Sequence, residues 1–120
     1  MPNSGHAEAF RCGQLYAALA ALQECSDGPH HSLGRSATVK DILRAPSKVL
    51  NDHLWQVGKY LITARNRGEG AAAAVLFRSI PDLLPTRKEP PYALDPGQRE
   101  QFRLGVEAQK AEIEKALQSL

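Results

Sequence analysis

The segment LDPGQREQFRLGVEAQKAEIEKAL at 94–117 constrains this chain more than any other. Asp95 is placed to cap a helix, Pro96 suits the first helical position, and Gln98 is spaced for a reciprocal capping box. Beyond the cap, Phe102, Val106, Gln109, Ile113, Ala116 and Leu120 recur at intervals of four and three. That spacing keeps one side of a helix turned toward one neighbour. A helix over 95–120 would reach about 39 Å at 1.5 Å per residue, the full length of a small bundle. Gln109 is the one polar interruption of the seam and reads as a hydrogen-bonded core residue.

The rest of the chain repeats the helical period. Residues 7–24 place Phe10, Leu15, Leu19 and Leu22 among alanines, and Gly13 would let a neighbouring helix come close. Gly28, Pro29 and Gly34 then break the pattern into a loop. Over 36–68 the pattern predicts a short helix, capped by Ser36 or Thr38, and a longer one opened by Pro46 and closed by Asn66 and Gly68. Val49, Leu50, Leu54, Val57 and Leu61 form the stripe of the longer helix, with Trp55 counted into its core side. An alanine-rich segment from 68 predicts another helix ending near Pro81 or Pro85. The stretch 86–94 is a Pro-rich connector leading to the last helix. β-Branched residues are sparse and aromatics few, so the expectation is a single all-α domain over 1–120, an up-and-down bundle of four or five helices.

A chain of 120 residues can bury a core without disulfides or metal. Cys12 and Cys25, 13 residues apart on or near one helix, are too far apart to join and read as reduced packing thiols. No apolar run is long enough for a bilayer, and the first residues lack the marks of a secretion signal; both lead to the expectation of a cytoplasmic protein without membrane contact.

Nothing in the sequence points to catalysis or to a cofactor. His6, His30, His31 and His53 share no helix face with a second ligand at metal spacing, and neither cysteine has a histidine nearby in sequence. Gly68-Glu69-Gly70 lacks the strand before it and the Lys-Ser/Thr pair after it that a phosphate loop needs. The expectation is a protein that is not an enzyme and holds no metal.

Charge is the remaining signal. The whole chain carries +2, but 35–67 holds seven Lys/Arg against two acids, a local +5. Arg35, Lys40, Arg44, Lys48, Lys59, Arg65 and Arg67 supply it and are the candidate nucleic-acid-binding residues. Lys40, Arg44 and Lys48 would stack at four-residue intervals on a continuous helix, although a break at Pro46 would rotate Lys48 away. From charge alone the segment reads as a solvated face. The sharper reading is a surface that follows phosphates, with Trp55 or Tyr60 available to stack on bases.

Three stretches carry a resemblance. Leu15 to Leu19 (LYAAL), Ser36-Ala37-Thr38 followed by His53-Leu54, and Phe102-x-Leu104-Gly105-x-x-x-Gln109 occur in the same order in the C-terminal helical region of the large subunit of type I-C CRISPR Cascade complexes. The chain resembles that region over about 9–114, with Val39 standing where the family usually has proline and Val106 in place of an aromatic. In such systems the region is also made separately, from an internal start, as the small subunit. A chain with Met1 just upstream of the first matching helix looks like that product. The resemblance implies a non-catalytic subunit that contacts the Cascade large subunit, the guide-RNA-bearing backbone and other copies of itself. It also implies a part in holding target DNA open, on either the target or the displaced strand. The last helix would then act as a strut, showing Arg99, Arg103, Lys110 and Lys115 to its neighbours. The rival reading is a helical protein-interaction module that binds no nucleic acid.

Overall fold

The computed structural model of the chain describes residues 4–28, 36–44, 46–84 and 94–120. Six helices make up these residues: α1 (Ser4–Asp27), α2 (Ser36–Arg44), α3 (Pro46–Leu54), α4 (Val57–Asn66), α5 (Gly70–Leu83) and α6 (Pro96–Gln118). The all-α bundle expected from the periodicity is what forms.

The bundle is organised around α1. Ala9, Cys12, Leu15, Ala18, Leu19 and Leu22 are essentially sealed from solvent, and burial extends around the helix to Ala17 and Gln23. A helix apolar on nearly every side has to be enclosed. Helix α6 packs along one side of α1, with α4 and α5 on others and α3 in lighter contact. Burying each of the three leucines contributes about 1.5–3 kcal/mol, before the chain entropy that opposes it.

The α1–α6 contact is the most extensive in the molecule. It depends on two glycines facing each other's backbones. A methyl group on Gly13 would collide with the Phe102 carbonyl oxygen, and one on Gly105 with the Phe10 carbonyl oxygen. The neighbouring backbone atoms are also close, Val106 N at 3.0 Å from the first position and Gln14 N at 3.2 Å from the second. Beside this crossing the rings of Tyr16 and Phe102 lie 5.6 Å apart in a tilted arrangement.

Helix α6 starts as its sequence dictates. The Asp95 carboxylate accepts from Gln98 N at 2.7 Å, and Asp95 N donates back to Gln98 Oε1 at 3.0 Å. The seam then fades along the helix. Phe102, Val106 and Gln109 are buried, Ile113 is half-buried, and Ala116 and Leu120 are exposed.

The middle of the chain departs from expectation in two ways. The single helix expected after Pro46 is two, separated by a turn at Trp55 and Gln56 where Gln56 N bonds back only three residues, to His53 O. Trp55 is 89% exposed, contrary to its assignment to the core. The physical reason is the break itself: the buried side of α3 and α4 runs through Leu50, Tyr60 and Ala64, and Trp55 stands in the turn between the two helices, off that side. Helix α5 passes through Pro81 and ends at Leu83, so the proline falls in the last turn. Most of the 86–94 connector lies outside the described residues. Its last residue, Leu94, is buried and donates from its backbone to Leu43 O at 3.0 Å, tying α2 to the start of α6.

Candidate nucleic-acid interface

The basic residues read from the sequence separate into three environments. Arg35 lies outside the described residues. Lys40 and Arg44 project from α2 into solvent, one turn apart, and Arg44 is bonded to Asp41 at 3.0 Å. Lys48 is exposed on α3, a separate element from the α2 that carries Lys40 and Arg44. Lys59 and Arg65 are exposed on α4.

Arg67 has a structural task. Its guanidinium donates to Glu24 O and Cys25 O, each at 3.3 Å, and so occupies the C-terminal end of α1, where a cation also suits the helix dipole. Gly28, at φ +85°, turns the chain away beside it.

The fold adds cations that sequence separation hides. Arg99 of α6 joins Lys40, Leu43 and Arg44 around a surface groove of about 370 Å³. Leu43 and Arg99 also border an adjoining groove of about 510 Å³, which Arg103 and Lys110 extend along α6 above Tyr16, Phe102 and Val106. Arg99 is held in place by its own bond to Leu94 O at 3.1 Å, and Arg103 by Glu100 at 2.5 Å. No local pattern joins residues 40–44 to 99–110. The Leu94–Leu43 backbone bond ties α2 beside the start of α6.

The second exposed face lies on α3 and α4. Lys48 on α3, Trp55 at the turn, and Lys59 and Ile62 on α4 are all exposed, with Trp55 and Ile62 at 89% and 63%. Asp52, also exposed, is the acid within α3. Basic side chains beside an exposed indole can meet phosphate and base together.

Tyr60 cannot share that role. It is buried, and its hydroxyl accepts from Gln23 Nε2 at 3.1 Å and lies 2.7 Å from His53 Nδ1. The same hydroxyl donates to Gln56 Oε1 at 3.5 Å, and burial pushes the His53 pKa down, which favours the neutral ring. Burial likewise raises the Tyr60 pKa, so the phenol stays protonated. The triad fastens α4 to α1.

Neither cysteine is activated. Burial, aided by Glu8, pushes the Cys12 thiol up to about 11, and burial also raises Cys25. Among the described residues no three His, Cys, Asp or Glu gather where they could hold a metal, and no helix is long and apolar enough to cross a membrane.

No family model, no curated protein and no solved structure matches this chain.

Proposed function

We propose that the chain is a non-catalytic small subunit of a type I-C CRISPR Cascade complex, steadying target DNA through its basic surfaces while other subunits supply guide and chemistry. The observation that carries the reading is the pair of exposed basic faces on an all-α bundle: the α2–α6 groove with Lys40, Arg44 and Arg99, and the α3–α4 face with Lys48, Lys59 and Trp55. The three ordered sequence motifs support it, since they lie in α1, in α2–α3 and in α6, elements of one fold. Phosphate contacts of this kind position a nucleic acid without reading it; in a guide-directed complex sequence is read by base pairing. A cytoplasmic location and contacts with the large subunit, the guide-bearing backbone and further copies belong to this reading.

The rival, a protein-interaction module without nucleic acid, draws on Arg67 being bound to α1 and Arg44 to Asp41. Purification with the large subunit and guide-bearing backbone separates the two. Incorporation is expected under mild salt, and absence from the assembled particle overturns the assignment. In that particle, reversing Lys40, Arg44 and Lys48 to Glu is expected to weaken binding of every target sequence alike and leave guide loading intact. For contacts to a single strand, the slope of log affinity against log salt should fall by about 0.7 per lost contact. Unchanged affinity and slope favour the rival.

A further inference from the structure

One buried hydroxyl connects the turn between α3 and α4 to the core. Tyr60 brings a single hydroxyl proton and two lone pairs. Gln23 Nε2 donates into one lone pair at 3.1 Å. Two more atoms face the hydroxyl: His53 Nδ1 at 2.7 Å and Gln56 Oε1 at 3.5 Å, the second beyond the ordinary length of an O–H···O bond. Gln56 stands next to Trp55 in the turn, and its carboxamide also donates from Nε2 to Asp52 O at 3.3 Å. The rings of His53 and Tyr60 are stacked, with centroids 6.1 Å apart. Among the described residues, the charged groups acting on this pair are Asp52, next to His53 on α3, and Asp27, which acts on Tyr60 from the end of α1.

We propose that Tyr60 relays the protonation of His53 to the α3–α4 turn, so that an added proton draws Gln56, and Trp55 with it, toward α4. A neutral imidazole has one bare nitrogen, and a ring protonated on Nε2 takes the Tyr60 proton at Nδ1 and leaves Gln56 unengaged. An imidazolium carries a proton on both nitrogens and can only donate. Its Nδ1 then donates into the second lone pair of the hydroxyl, and of the side chains facing the hydroxyl only Gln56 can accept the Tyr60 proton. Closing that bond from 3.5 Å to the usual length of about 2.8 Å shifts the carboxamide by about 0.7 Å. The ring gains one proton from solvent, and Tyr60 stays neutral throughout. Burial disfavours the charged ring and so sets the change below the ordinary 6.5. The relay rests on the reading of the α3–α4 face given above and adds a control to it, since Trp55 is the indole of that face. It is tested on the isolated chain without DNA, so its failure leaves that reading standing.

Proton–nitrogen NMR from about pH 7.5 to about pH 5 is the experiment, read where circular dichroism shows the helix content intact. Trp55 is the one tryptophan of the chain, so the indole N–H signal reports on the turn. In the wild type the His53 ring nitrogens, the Gln56 side-chain amide and the Trp55 indole N–H should titrate with one midpoint, below 6.5. In Gln56→Ala, whose side chain is exposed, His53 should still titrate while the Trp55 shift is lost. Tyr60→Phe should also lose the Trp55 shift, by removing the relay itself, and should it fail to fold the Gln56→Ala result decides. His53→Gln should abolish the response. A ring that stays neutral down to about pH 5, a Trp55 signal that does not follow His53 in the wild type, or one that follows it unchanged in Gln56→Ala overturns the relay.

Discussion

Replacing Gly13 with alanine tests the central contact of the fold. The added methyl would meet the Phe102 carbonyl oxygen, with Phe102 C at 2.9 Å and Val106 N at 3.0 Å behind it. These are backbone atoms of a helix and cannot rotate aside, so α1 and α6 must separate by about 1 Å to restore ordinary contact. Overfilling a packed site of this kind costs about 1–3 kcal/mol, and with rigid neighbours the upper end applies. Alanine recovers about 1 kcal/mol over glycine in a helix interior, leaving a net loss of about 2 kcal/mol. For a domain of this size that corresponds to a fall of about 8 °C in Tm. Gly58, on α4, is the internal control, since a methyl there meets nothing within 4 Å. Gly58→Ala should therefore stabilise by up to about 1 kcal/mol. Urea titrations followed at 222 nm measure both. The close-crossing account fails if Gly13→Ala proves as stable as Gly58→Ala. Gly13→Ala/Gly105→Ala should lose less than the sum of the two singles, because one separation of the helices relieves both collisions.

Other outcomes follow from single sites. Asp95→Ala, which removes one half of the capping box, should cost about 1 kcal/mol by urea titration. Cys12 should resist thiol reagents at pH 8 in the folded chain and react on unfolding. Because the folded thiol holds its proton to about 11 against 9.0 unperturbed, stability should fall as pH rises from about 9 toward 11, and Cys12→Ala should flatten that slope. His53 has its pKa lowered on folding, so its contribution is complete above the unperturbed 6.5 and is lost as pH falls below it. Urea titrations at pH 7.5 and 5 should show this loss, reduced in His53→Gln.

The sequence announces what is decided within a few residues. Asp95, Pro96 and Gln98 form their cap because all its partners lie within one turn. Gly13 signals a close neighbour, though not which one, because its partner Phe102 lies far along the chain. The turn at Trp55 and Gln56 carries no proline or glycine to mark it, and reading one unbroken stripe through it drew the tryptophan into the core. Arg67 looked like part of a basic run, because its tie to Glu24 O and Cys25 O exists only once α4 lies against α1. The α2–α6 groove was hidden for the same reason: its cations come from opposite sides of the Pro-rich connector, and the backbone bond that unites them is tertiary.

The pairing of α1 with α6 also bears on how the chain is made. Phe10 and Gly13 find their partners at Gly105 and Phe102, roughly ninety residues downstream, which at 5–20 residues per second is about 5–18 s of synthesis. Throughout that interval the helix that supplies most of the buried core lacks its principal cover, while α4 and α5 can shield its other sides as they emerge. A ribosome-bound chain arrested before Phe102 should therefore present α1 to chaperones, and release of the full chain should withdraw it. A bundle this small would ordinarily fold through near neighbours; here the first helix waits for α6.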